Sequence, residues 1–167
     1  MQRRNFTAGL AAGLDSFQEA SLDDWDQMID TNVKGLLYIS RLVVPHLIRR
    51  GQGHVVNIGS IAGHDVYPKG HVYNATKFAV RALTEAMRID LLGTGVRVTS
   101  IDPGMAETEF SSVRFKGDEG RAKIVYAGMK ALSAEDIAEA ILWSLDRPAH
   151  VNVQEILLMP TDQASAR

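Results

Sequence analysis

Apolar residues along this chain follow two rhythms separated by glycine-rich breaks. From Leu22 to about Arg50 they recur at helical spacing. Ser21-Leu-Asp-Asp24 resembles a capping box, with Asp in the place of Glu, and Gly51-Gln-Gly53 ends the run. His54-Val-Val-Asn-Ile58 is short, apolar and β-branched, which predicts a buried strand. A second long helix is predicted over Val72–Leu92 and a second strand over Val96–Ile101, ending in Asp102-Pro103-Gly104. Residues 107–130 lack a period and are rich in charge; they follow a strand end and read as an irregular lid over a substrate. Ser133-Ala-Glu-Asp136 opens a capped helix ending near Arg147-Pro148, and Gln154–Leu158 is a last strand closed by Pro160. Helix and strand alternate, so an α/β fold is expected, with a parallel sheet covered by helices on both faces.

Composition narrows the function. At 167 residues one domain is the default. Hydrophobic content of 46% with 23% charged residues is that of an ordinary globular protein. A net charge of −2 without a basic stripe argues against nucleic acid as a partner. Zero cysteines exclude disulfides and thiolate metal sites. No run approaches eighteen uncharged apolar residues, so no membrane span is expected, and a cytoplasmic location is the default. His46, His54, His64, His71 and His150 form no helical His-x-x-x-His pair, so no metal site is expected. His64 and His71 flank the Ser60–Tyr73 loop, where solvating the loop is their expected role.

The candidate chemistry is an ordered set: Asn32, Ser60, Tyr73 and Lys77. Residues i and i+4 share a helix face, so Lys77 is placed beside Tyr73. An ammonium beside a phenol favours the phenolate, lowering a pKa that starts near ~10. A phenol tuned in this way exchanges a proton with an alcohol or carbonyl near neutral pH. The pair alone is weak evidence, since Tyr126-Ala-Gly-Met-Lys130 repeats the spacing and most such pairs are surface contacts. What distinguishes the first pair is Ser60, predicted at the carboxyl end of a strand, the edge where ligands bind in open α/β sheets. Asn32 is an awkward residue inside a long helix, because its side chain competes for backbone hydrogen bonds, and its position suits a local kink.

Asp30-Thr-Asn-Val-Lys-Gly35, Asn57-Ile-Gly-Ser-Ile-Ala-Gly63, Tyr73-Asn-Ala-Thr-Lys77 and Asp102-Pro-Gly104 followed by Thr108 together resemble the short-chain dehydrogenase/reductase family, from about Ala8 onward. The resemblance implies a Rossmann-like doubly wound sheet and an oxidoreductase. In it Tyr73 is the general acid/base, Ser60 orients the reacting oxygen, and Lys77 lowers the Tyr73 pKa and holds the nicotinamide ribose. Asn32 would anchor a water in the proton path, and Pro103, Gly104 and Thr108 would line the nicotinamide pocket. The lid segment 108–118, Arg147–Val153 and Met159-Pro160 resemble the subgroup of NADP-dependent 3-hydroxy acid and serine dehydrogenases. That implies NADP, with NAD possible, and a small hydroxy acid as substrate. An anionic substrate needs a cation, and Arg114 offers a bidentate fork, with Lys116 and Arg121 behind it. Members of the family are tetramers; here Leu36, Leu37, Ile39, Leu42, Val43, Phe78, Val80 and Leu83 put apolar surface on more than one helix face, so a homo-oligomer is expected.

The family opens with a strand, a glycine-rich turn and a helix that cradle the dinucleotide phosphates. Gly51-Gln-Gly53 and Gly93-Thr-Gly95 lack the third glycine and the helix that this fingerprint needs. Thr7-Ala-Gly9 fits the family's later Asn-Ala-Gly segment, with Thr7 in place of asparagine. The chain therefore reads as a single truncated Rossmann-like domain over 1–167, the C-terminal part of the fold with the first strands and helices absent. A catalytically inactive half-domain or truncated product, acting only as an oligomerising or structural module, is the competing reading.

Overall fold

A computed structural model describes residues 9–166; the notable Thr7 lies outside them. Eleven short elements follow one another: α1 (Leu22–Ile29), a π-helical turn (Asp30–Lys34), α2 (Gly35–Arg50), β1 (Gly53–Ile58), a 3-10 turn (Ile61–Gly63), α3 (His71–Asp90), β2 (Val96–Pro103), α4 (Phe110–Arg114), α5 (Glu119–Ile124), α6 (Ala134–Leu145) and β3 (Glu155–Leu158). The strands form one parallel sheet in the order β1-β2-β3. This is the parallel α/β arrangement that the alternation predicts.

Register decides which side chains meet. Gly53 to Ile58 lie opposite Val96 to Ile101, and Ser100 to Pro103 opposite Glu155 to Leu158. Side chains alternate along a strand, so Val55, Asn57, Val98, Ser100, Asp102 and Glu155 share one face. On that face Asn57 Nδ2 donates to Thr84 Oγ1 of α3 at 2.9 Å. Val55, Val96 and Val98 also pack there with Val44 and Leu47 of α2 and with Met87 and Leu91. The opposite face turns to α6: Arg97 donates to the carbonyls of Ser144, Leu145, Arg147 and Val151, tying off the helix end. Helices therefore cover both faces.

Local signals account for most element ends. Ser21 Oγ accepts from Asp24 N, and Ser133 with Asp136 forms a complete capping box. Gly51 closes α2, with its N–H on Ile48 O. Two expectations need correction. The long first helix is interrupted: Gly35 N–H reaches back five residues to Asp30 O, which makes one wide turn around Asn32. The kink suggested by Asn32 is thus a π-helical turn. Residues 107–130, expected to form an irregular lid, contain the two short helices α4 and α5. Asp118 begins the second by accepting from Arg121 N at 3.0 Å.

Candidate functional site

The sheet's carboxyl edge gathers the predicted residues. β1 ends at Ile58, and Ser60 follows at the cap of the 3-10 turn, where its Oγ accepts from Ala62 N at 3.1 Å. The same hydroxyl donates to Pro103 O at 3.5 Å, across the end of β2. α3 starts one residue after Gly70, so Tyr73 and Lys77 occupy its first two turns and face this edge. Tyr73 is 8% exposed, in a cluster with Ala11, Met28 and Ala62. Its ring lies 5.7 Å from that of Phe110.

Lys77 is 3% exposed, and its Nζ donates to Ile58 O and Gly59 O, both at 3.0 Å. Among the described residues no carboxylate lies within ion-pair distance of it. Burial therefore lowers its pKa to about 8, against the charge of Asp102, which favours the ammonium. Gly9 makes room for this ammonium. Its φ is +143°, and a Cβ there would lie 2.6 Å from Lys77 Nζ, so only glycine fits.

Asn32, 4% exposed, is committed by three hydrogen bonds. Its Oδ1 accepts from Leu10 N at 2.6 Å, and its Nδ2 donates to Leu10 O at 2.8 Å and to Thr76 Oγ1 at 3.0 Å. The π-helical turn aims this side chain inward, locking the segment after Gly9 to α3. Buried amides of this kind need such partners.

Electrostatics departs from the sequence expectation at Tyr73. Its hydroxyl is pushed above the ordinary phenol value, chiefly by burial and also by neighbouring Tyr67; the Ser60 hydroxyl and the Arg114 charge oppose this. The expected lowering by Lys77 does not set the direction. The Lys77 ammonium turns to backbone carbonyls and lies 5.8 Å from the Tyr73 ring centroid. Burial thus favours the protonated phenol at Tyr73.

A shallow, open cleft lies beside Tyr73, lined among others by Gly13, Asp24, Trp25, Lys69 and Arg114. Arg114 and Gly13 form a reciprocal pair: Arg114 Nε donates to Gly13 O at 3.0 Å, and Gly13 N to Arg114 O at 3.1 Å. The lid is thereby latched onto the segment that Asn32 holds. The guanidinium lies 5.5 Å from the Tyr67 ring and 5.8 Å from the Tyr73 ring, and no described carboxylate pairs with it. Two neighbouring cations are engaged: Lys116 pairs with Asp24 at 3.0 Å, and Arg121 lies 4.6 Å from the Phe115 ring.

Gly104 packs against Gln163 and Met159. Thr108 is exposed and accepts from Phe110 N at 3.2 Å, starting α4. Tyr126 bonds Ser111 and Ala106 O within the lid, a structural task that keeps it out of the cleft. Sequence reasoning missed Trp25, which lines the cleft, and Tyr67, which packs against the Tyr73 cluster and Arg114; both positions depend on long-range packing. The buried Trp25 Nε1 has no hydrogen-bond partner among the described residues, a structural signal with no counterpart in spacing.

A nicotinamide dinucleotide is the group that this edge suggests, and the residues present fit its nicotinamide end. Lys77 offers a buried ammonium at the end of β1, and Pro103 and Gly104 stand at the end of the neighbouring β2. The described residues contain no glycine-rich strand–turn–helix for the pyrophosphate.

Residues 6–119 match the family model of the short chain dehydrogenases. The chain is 50% identical over 160 residues to the NADP-dependent 3-hydroxy acid dehydrogenase of Escherichia coli K12, which covers 95% of this chain and 64% of that protein. It is 49% identical over 158 residues to sulfoacetaldehyde reductase 2 of Chromohalobacter salexigens, covering 94% and 63%. The solved closed form of serine dehydrogenase complexed with NADP+ superposes with a TM-score of 0.92 at 49% identity, covering 95% of this chain and 64% of that one. The chain thus spans about 64% of the length of the relatives it matches. With the motif order, the parallel sheet and the matched residues in agreement, the chain belongs to the short chain dehydrogenase family.

Proposed function

We propose that this protein is an oxidoreductase that works with NADP, moving a hydride between the dinucleotide and the β-carbon of a small hydroxy acid or its carbonyl counterpart. The observation that carries this reading is a buried tyrosine and an arginine without a carboxylate partner among the described residues lining one cleft, with the hydroxyl of a strand-end serine on that tyrosine. Relatives named for NADP-dependent 3-hydroxy acid and serine dehydrogenation support it, as does a relative named for a sulfonated aldehyde.

In reduction, Ser60 Oγ holds the substrate oxygen and Tyr73 Oη gives it a proton. Lys77 steadies the phenolate left behind and binds the nicotinamide ribose. Arg114 fixes the acid group and so sets which carbon faces the nicotinamide. When bound, the dinucleotide supplies or accepts the hydride; the chain positions it. Pro103, Gly104 and Thr108 border the nicotinamide, and the backbone at Asn32 holds a water that refills Tyr73. The same proposal covers a cytoplasmic homo-oligomer built on α2 and α3. Leu37, Tyr38, Ile39, Leu42 and Val43 stand exposed on α2, an apolar face of the kind that interfaces cover.

Spectrophotometric assay with NADP+ and a panel of serine, 3-hydroxypropionate and neutral alcohols tests the reading. Oxidation of the acids, lost in Tyr73→Phe while NADPH binding persists, is expected. Turnover that survives Tyr73→Phe would overturn it.

A further inference from the structure

Three ionisable side chains from three separate elements meet on the α3 face of the sheet, outside the cleft. His64 follows the 3-10 turn, Asp102 lies near the end of β2 and Glu155 opens β3. His64 Nε2 lies 2.7 Å from Asp102 Oδ2 and 3.7 Å from Glu155 Oε2. One ligand-capable atom from each lies within 4.8 Å of the other two. We propose that His64, Asp102 and Glu155 bind a divalent transition-metal ion of the zinc class, with water completing its coordination.

The donor set suits that class. One imidazole nitrogen and two carboxylate oxygens leave an open position at a four-coordinate ion. Bond lengths of roughly 2.0–2.2 Å place tetrahedral donors about 3.4 Å apart. The 3.7 Å separation is already close to that, and the 2.7 Å contact needs to open by less than an ångström.

Charge points the same way. Asp102 is 1% exposed, and its ion-pair partner among the described residues is His64, a cation only when protonated. Lys77 acts on it at longer range. Buried carboxylates are paired or bind metals. The carboxylate is also held in place: it packs on bare backbone at Gly59, where a Cβ would lie 1.8 Å from Asp102 Oδ1.

Supporting hydrogen bonds of the kind that orient metal ligands are present. Ser100 Oγ donates to the second Asp102 oxygen, and Arg81 Nε donates to Glu155 Oε2 at 3.1 Å. A carboxylate has about four lone-pair sites, so Arg81 and an ion can share Glu155. The His64 and Glu155 side chains are 17% and 29% exposed, which leaves a path from solvent. A bound ion would tie β2 and β3 to the loop that carries Ser60, four residues before His64.

The test reads binding, so it is independent of turnover. Tag-free protein is stripped with chelator, dialysed and titrated with zinc chloride by calorimetry, beside His64→Ala, Glu155→Gln and His46→Ala. The expected result is one zinc per chain at micromolar affinity or tighter. Binding should weaken roughly 100-fold in the first two variants and remain unchanged in the third. At a hundredfold excess over Kd, zinc should raise Tm by about 5 °C or more. Absence of binding to the unaltered protein, or equal binding by all four proteins, would overturn the site. Should a variant lose its circular dichroism, the unaltered protein decides: zinc must shift the His64 imidazole resonances and leave those of the other four histidines.

Discussion

The sheet edge and the proposed lid, residues 107–130, hold their candidate residues by different means. At the edge, Asn32, Ser60, Tyr73 and Lys77 sit on regular elements or their caps, and their bonds run to backbone or buried groups. On the lid, Arg114 ends a five-residue helix, and a reciprocal pair with Gly13 and contacts with aromatic rings keep it in place. Proton transfer needs the first kind of support, because small displacements of the reacting atoms are costly. Substrate choice tolerates the second, and a lid that moves can admit and then enclose its substrate. Changes at the edge should therefore damage chemistry for every substrate, and changes in the lid should discriminate among substrates.

The largest expected effect is at Tyr73. Tyr73→Phe should lower kcat by roughly 10²–10⁴-fold for acids and neutral alcohols alike, with NADPH affinity nearly unchanged by fluorescence titration. A loss confined to acids would erase the contrast.

Lys77 comes next, through stability. Its pKa of about 8 lies below the ordinary 10.5. Between those values the unfolded chain binds more protons than the folded one, so this group makes stability rise with pH across the window. The cost of burying the ammonium is fully present below pH 8 and fades above it, on the order of 3 kcal/mol in all. Lys77→Met should remove that rise; urea melts of both proteins between pH 7 and 10 would show it. Parallel curves would mean that Lys77 is not buried as a charge.

In the lid, Arg114→Ala should lower kcat/KM for 3-hydroxy acids roughly 30- to 150-fold, a loss of ~2–3 kcal/mol. A neutral alcohol of similar size should lose little. Equal losses would assign Arg114 to lid closure and not to the acid group. The smallest effect is expected at Tyr126→Phe, which removes the bond to Ala106 O and costs about 1 kcal/mol of stability. Activity should barely move, although Tyr126 and Lys130 repeat the Tyr73–Lys77 spacing.

Legibility in the sequence follows the same division. The strands, α3 and the serine at the strand end were readable because each depends on local signals: β-branched runs, glycine stops and helical spacing. Capping made α6 readable to within two residues. Trp25, Tyr67 and the His64–Asp102–Glu155 cluster were not readable, since their partners are far away in sequence and are set by strand register. The direction of the Tyr73 shift was misread for a related reason: spacing places Lys77 beside Tyr73, but burial and the carbonyls of Ile58 and Gly59 decide where its ammonium points.

The π-helical turn at Asp30–Lys34 acts as a phase shift. Each residue of an α-helix turns the chain by about 100°, so one extra residue in a turn rotates everything upstream of it relative to everything downstream. Met28 reaches the Tyr73 cluster on the near side of that rotation, while Val44 and Leu47 reach the sheet on the far side. Deleting one residue from the turn would restore a continuous helix of standard geometry. It would also bring these two contact faces out of step, so that α1 could keep its place beside the cleft only if α2 gave up its place on the sheet.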